Sequence, residues 1–334
     1  MSTEPIPLGF ADLAIQAGSH IAYPYGGEDE RYEKVLDFVS AGLRNGEKCI
    51  TAIPEYTTDF WLDGLRSRGM DMDEFSTDRI EILTARQLFR GSIAESPSLG
   101  METLGRALES SVAEGRSHMR ACTGFSHMYN HRQAVPDLLA AESEANDCVS
   151  GEHITMLCTF SKVNLHPRLL ETTLQCHPLI TDGDSLDDNI DYVSPEEFAR
   201  LLPEIMDQLG DCGAFVPPFA LLDFYGEVPV ISACAEMDFY TSPKLEELAN
   251  QMISLNHRRL IVDLSDTTFA DASTVHLLAR VAQTLEDKGG QLSIFDPMGP
   301  ARKIFRLARL EEFIPIRNSM EEALEAAFAR VLAD

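Results

Sequence analysis

Basic side chains are scarce in this 334-residue chain: 27 lysines and arginines face 54 aspartates and glutamates, a net charge of −27. A field of that sign repels phosphate backbones, so a nucleic-acid partner is not expected. Long apolar runs are missing too. None approaches the roughly 18 residues of a membrane span, so no membrane partner is expected either. The N-terminal stretch MSTEPIPLGFADLAIQAGSH has no basic start and no long apolar segment, and does not read as a secretion signal. The seven cysteines (49, 122, 148, 158, 176, 212, 234) are an odd, scattered set without a disulfide framework. Reduced thiols in a cytoplasmic protein are the expectation.

What is present is regular. The length allows two domains, each with its own core. Residues 1–18 are polar and read as a loose tail. From 19 to about 210, apolar stretches at 20–25, 48–53, 79–84, 118–125 and 154–160 alternate with amphipathic ones. That alternation predicts α/β structure with a mostly parallel sheet covered on both faces. Ser194-Pro195-Glu196-Glu197 opens a further helix, with a serine cap and proline at its first position. Residues 211–219, with Gly and Pro-Pro, read as a linker. A second α/β domain is expected over 220–334.

The first domain carries short motifs in a fixed order: His20 with Tyr25, GLRNGEKC (42–49), MRACTGFSHMY (119–129), AAESEAND (140–147), MLCTF (156–160), CHP (176–178), then Asn189, Tyr192 and Pro195. In this it resembles the MEDS family, a sensory domain that looks like a derived relative of the RecA/KaiC fold. The resemblance implies a parallel-sheet sensory domain that senses a small molecule, of unknown identity, or a cellular state. A working P-loop needs GxxxxGK[ST] to cradle phosphates and magnesium. The equivalent turn here reads YPYGGEDERYEK and sets Glu28, Asp29 and Glu30 where phosphates would sit. No nucleotide cofactor is therefore expected.

His118, Cys122, His127 and His131 cluster in sequence. On a strand, His118 and Cys122 would point to one face about 13 Å apart, too far to share an ion directly, and no metal is expected. Two readings stay open for this set. Cys122 and Cys158 are small buried hydrophobes, or His20, Tyr25, Cys122, His127, Cys158 and His177 line a ligand pocket at the carboxyl ends of the strands.

The second domain is organised around a buried strand at 260–264, the turn Asp271-Ala272-Ser273-Thr274 and a helix expected to carry Val275, Leu278, Ala279 and Ala282 inward. AEMD (235–238), VDLSDTTFADAS (262–273), GGQLSIFDPMGPARKIFRLARLEEFIPI and NSMEEAL resemble a STAS domain of the anti-sigma factor antagonist kind. That resemblance implies phosphorylation of Ser273 by a partner anti-sigma serine kinase, which brings its own ATP and Mg. It implies docking of that kinase near Asp238, Asp271 and Thr274, and indirect control of a sigma factor. Ala272 and Thr274 depart from the family's serine and glycine. Thr274 would stiffen the turn, alter docking or offer a competing hydroxyl.

Phosphorylation adds about −1.5 to −2 charges, which a helix N-terminus with free N–H groups accepts. Asp271 and Ser273 also suit plain helix capping. His276 follows Ser273 by one turn, but there is no GxSxG elbow, so no intrinsic enzyme activity is expected. Two functions remain: a phospho-switched antagonist, or a small-molecule-sensing scaffold whose STAS domain assembles partners without switching. A homodimer is compatible with either.

Overall fold

Apolar strands alternating with amphipathic helices build two larger, mainly parallel sheets, beside two two-stranded ones. The computed structural model describes residues 5–71, 79–83, 98–113, 115, 118–130, 132–149, 154–214, 220–233, 235–297, 299 and 301–329. Its contacts divide the chain into two units, Met1–Pro54 with Trp61–Val216, and Glu55–Phe60 with Pro217–Asp334. Among the described residues no helix is long and apolar enough to cross a membrane.

The first part runs β1 (Ile6–Pro7), β2 (Ala14–Ile15), β3 (His20–Tyr25), α1 (Glu28–Arg44), β4 (Lys48–Ala52), α2 (Thr58–Ser67), β5 (Ile80–Ile82), α3 (Ser98–Ala113), β6 (Met119–Thr123), α4 (Val135–Val149), β7 (Ile154–Ser161), α5 (Pro167–Leu174), β8 (Leu179–Thr181), β9 (Leu186–Asp188) and α6 (Pro195–Asp211). Seven strands form a sheet in the order β5-β4-β6-β7-β3-β8-β9. Every pair in it is parallel except β8 with β9. β4, β6 and β7 are buried along their whole length, as strands covered on both faces must be.

Residues 5–18 are not the loose tail expected. β1 and β2 pair with each other, and Leu8, Phe10 and Ile15 are buried. Arg120 explains why. Its guanidinium is fully buried and pairs with Glu47 Oε2 at 2.5 Å. It also donates to the carbonyls of Pro7 (2.7 Å), Leu8 (3.1 Å) and Phe38 (3.2 Å). A buried cation needs all its donors met, and the N-terminal backbone supplies two acceptors. Gly42 of GLRNGEKC leaves the room: a Cβ there would lie 2.6 Å from Arg120 Cδ.

At the Gly26-Gly27 turn, Glu30 folds back. Its carboxylate accepts from the Gly26 N–H (3.1 Å) and the Tyr23 hydroxyl (3.0 Å). The chain's own acid thus holds a backbone donor of that turn.

The second part runs β10 (Ala220–Tyr225), β11 (Val228–Ala233), β12 (Ala235–Met237), α7 (Ser242–Ser254), β13 (Arg259–Asp263), β14 (Thr267–Ala270), α8 (Ala272–Asp287), β15 (Gln291–Phe295), α9 (Arg302–Leu307), β16 (Ile316–Arg317) and α10 (Met320–Ala329). Five strands order as β10-β11-β13-β15-β16, antiparallel only between β10 and β11. Gly226 makes that hairpin turn at φ +66°, a left-handed conformation glycine adopts freely. Leu260, Ile261 and Val262 of β13 form the buried centre.

Ahead of Asp271, β14 pairs in parallel with β12, Met237 opposite Ala270. One expectation shifts here. The inward stripe of α8 is Thr274, Leu277, Leu278, Val281 and Leu285, while Ala279 is exposed. Three leucines bury more apolar area than the alanines the shorter pattern selects.

Candidate functional site

The β12–β14 pair sets the serine turn. Asp238 and Asp271 follow the carboxyl ends of these two neighbouring strands. The Asp271 N–H donates to the Met237 carbonyl at 3.2 Å, fixing the end of β14 against β12. Asp271 is the N-cap of α8 in extended conformation. One oxygen, Oδ1, accepts from the Ser273 N–H (2.8 Å), the Thr274 N–H (3.3 Å) and the Ser273 hydroxyl (2.5 Å). The helix-start N–H groups of Ser273 and Thr274 are therefore not free to receive a phosphate, as the sequence pattern had suggested. Asp271 already occupies them. Ser273 is half-buried and Ala272 before it is exposed.

Thr274 is fully buried. Its hydroxyl donates to the Met237 carbonyl at 2.8 Å and lies 3.3 Å from Ser242 Oγ. The branched residue in place of glycine thus ties α8 to the end of β12 and the start of α7. Its side chain offers neither a docking surface nor a competing exposed hydroxyl. Asp238 is half-exposed, and its Oδ1 accepts from the N–H groups of Tyr240 (2.8 Å) and Thr241 (3.0 Å). Those bonds hold its carboxyl below the usual range.

Three exposed aromatics flank this corner and were not singled out in the sequence. Phe239 and Tyr240 follow Asp238 and are 72% and 86% exposed. Phe269, opposite Glu236 in the β12–β14 ladder, is 49% exposed. An aromatic pair directly after AEMD was the available signal.

In the first unit the six proposed pocket residues separate. His20, Cys158 and His177 come together; Tyr25 and Cys122 do not join them. Tyr25 ends β3 with its ring 4.7 Å from the Arg31 guanidinium. Cys122 is buried on β6, where burial pushes its thiol up to about 12. His127 belongs to a short 3₁₀ turn at Ser126–Asn130, and its side chain lies outside the described residues, as does His131. The cluster is not at the carboxyl ends of the strands. His20 is the first residue of β3, and Cys158 sits midway along β7. Ala22 of β3 pairs with Cys158 in the ladder, so His20, two residues earlier, shares the face of Cys158.

The fourth member, Glu142, comes from α4, in the AAESEAND motif. His20 Nε2 lies 3.3 Å from Cys158 Sγ and 3.9 Å from Glu142 Oε2. His177 Nε2 lies 3.5 Å from the same carboxylate oxygen. One ligand-type atom from each residue fits within 4.8 Å of all the others. His20, Cys158 and His177 are buried, and the Glu142 side chain is 14% exposed.

The outer bonds fix both rings. Asn146, one turn after Glu142, gives its amide N–H groups to the Ser143 and Cys176 carbonyls, 2.8 Å each. Its oxygen therefore faces His20 Nδ1 at 3.1 Å. His177 Nδ1 faces the Thr173 carbonyl at 3.0 Å. Asn189 clamps the His177 turn through the Leu174 and His177 carbonyls. Burial, then the neighbouring His177, lowers the pKa of His20 well below its ordinary value. Burial and the Glu142 charge raise that of Cys158.

Residues 19–178 match the family model described as MEDS, the methanogen/methylotroph DcmR sensory domain. Residues 220–323 match that of the STAS domain. No curated protein matches the chain. Among solved structures it is similar to an anti-sigma factor antagonist from Mycobacterium paratuberculosis, with 24% identity, 32% of this chain and 92% of that one covered, and a TM-score of 0.31. It is similar to the Bacillus cell fate determinant SpoIIAA in its phosphorylated form, with 22% identity, 32% and 97% covered, and a TM-score of 0.28. It is also similar to a KaiC-like protein from Pyrococcus horikoshii, with 11% identity, 53% and 79% covered, and a TM-score of 0.38.

Proposed function

We infer, from the MEDS match over residues 19–178, the STAS match over residues 220–323 and the serine turn, that the chain works by partner switching. In this reading it is an anti-sigma factor antagonist. Its unphosphorylated STAS domain binds an anti-sigma serine kinase and so releases a sigma factor. The kinase transfers the γ-phosphoryl group of its ATP to Ser273 Oγ, ADP leaves, and the hydroxyl proton is given up to a base. The MEDS domain conditions this in response to a small molecule or cellular state.

The observation that carries the reading is the Ser273 hydroxyl hydrogen-bonded to Asp271 on a half-exposed turn. A phosphoryl group there would face the Asp271 carboxylate and compete with it for the helix N–H groups. A partner surface seated over this turn and its aromatics would meet a desolvated dianion. A mismatch of about 2–5 kcal/mol weakens binding roughly 30- to 4,000-fold, enough to release a partner.

The test is incubation of the full chain with its cognate kinase and MgATP, followed by phosphosite mapping. Modification of Ser273 supports the reading. Modification elsewhere with Ser273 untouched overturns it.

A further inference from the structure

We propose that His20, Glu142, Cys158 and His177 form a binding site for a divalent transition-metal ion of the zinc class. The four donors belong to β3, α4, β7 and the turn between α5 and β8. They come from separate stretches of chain, so no local spacing announces them. Three observations converge.

First, the donors lie close to the separations of one ion, all four within 4.8 Å of one another, so that a small inward shift of side chains completes the site. Bonds of about 2.0–2.3 Å in a tetrahedral site set donors about 3.3–3.8 Å apart. The measured distances from Nε2 of His20 to Cys158 Sγ and Glu142 Oε2 are 3.3 and 3.9 Å, and from Nε2 of His177 to that carboxylate 3.5 Å.

Second, both Nε2 atoms point inward. His20 Nδ1 faces the Asn146 oxygen and His177 Nδ1 the Thr173 carbonyl, so both Nε2 atoms are turned toward the centre, where a metal ion would meet them as lone-pair donors. Such outer hydrogen bonds are how metal-bound histidines are oriented. His177 Nε2 is buried and makes no hydrogen bond. A buried ring nitrogen 3.5 Å from the Glu142 carboxylate and without a hydrogen bond is a position that a shared cation satisfies.

Third, the charges close. A thiolate and a carboxylate balance a divalent cation, and the two imidazoles add none. The result is a neutral unit, whereas a largely buried carboxylate without a counter-ion is costly. Two nitrogens, a soft sulfur and one oxygen are the donor set of zinc-class ions rather than of calcium or magnesium. Binding displaces the Cys158 thiol proton to solvent and forms the sulfur–metal bond, with no redox change.

The experiment strips the full chain with a chelator and titrates it with Co²⁺, then with Zn²⁺ in competition. The expected result is one Co²⁺ per chain, with a thiolate-to-cobalt charge-transfer band that Zn²⁺ abolishes. Cys158→Ser removes that band, and Cys122→Ser retains it. Glu142→Gln and His177→Gln lower Co²⁺ affinity at least ten-fold. Where Cys158→Ser does not fold by circular dichroism, Glu142→Gln in the intact-cysteine chain decides. A folded wild-type chain that takes up neither ion stoichiometrically overturns the proposal. So does a folded Cys158→Ser chain that keeps the band, or a folded Glu142→Gln chain with unchanged affinity.

Discussion

The Ser273 hydroxyl and the cap of its own helix share one atom: Asp271 Oδ1 accepts from Ser273 Oγ at 2.5 Å and from the Ser273 and Thr274 N–H groups. Capping and orientation of the hydroxyl can therefore be separated by substitution. Asparagine caps about as well as aspartate but accepts less strongly and carries no charge. Asp271→Asn should keep unfolding stability within a few tenths of a kcal/mol and slow phosphorylation of Ser273. Asp271→Ala should lose about 1 kcal/mol as well. Urea unfolding beside initial rates of phosphate incorporation checks both.

Thr274 is predicted to matter for stability and not as a modification site. Thr274→Val removes the donor to the Met237 carbonyl while keeping the branched shape. It should cost about 1 kcal/mol, the net worth of an ordinary hydrogen bond. Ser273 should still be modified, and no phosphate should appear on Thr274 in the folded wild-type chain. Denaturant melts and residue-level phosphosite mapping give the two readouts.

The exposed aromatics separate binding from folding. Phe239→Ala and Tyr240→Ala remove surface side chains and should change stability by less than about 0.5 kcal/mol. If the kinase seats on this corner, each should cost about 1 kcal/mol or more of binding, a five-fold weakening or greater. Calorimetric titration against the kinase, with melting temperature as the control, tests this.

The arrangement of strands and helices was largely legible because apolar periodicity reports directly on burial. The turn at Ser194 shows it locally: its hydroxyl caps Glu197 N–H, with Pro195 in the first turn. What was not legible depends on long-range packing. β14 is four residues with exposed centre positions, so neither a buried run nor a clear alternation marks it until β12 lies beside it. The inward face of Thr274 follows from that same pairing. The first residues looked like a tail because their partner, Arg120, lies more than a hundred residues away. Glu142 lies in the AAESEAND motif, yet an acid in a helix reads as solvated. A sharper signal was Glu142 and Asn146 at i and i+4, on a helix whose neighbouring Ser143 and Ala145 are buried.

The Arg120–Glu47 pair predicts a large stability effect in the first unit. Removing one partner strands a buried charge. Glu47→Gln should cost about 3–5 kcal/mol, read as a shifted denaturation midpoint, and leave the phosphorylation of Ser273 in the surviving folded chain unaltered.

The central claim is that charge at Ser273 governs partner binding. The most direct measurement is the affinity of the cognate kinase for the full chain before and after stoichiometric phosphorylation of Ser273, with Ser273→Ala carried through the same treatment. The account predicts that the phosphorylated chain binds at least about 30-fold more weakly, while Ser273→Ala binds unchanged throughout. Equal affinity of the phosphorylated and unphosphorylated chains would contradict it.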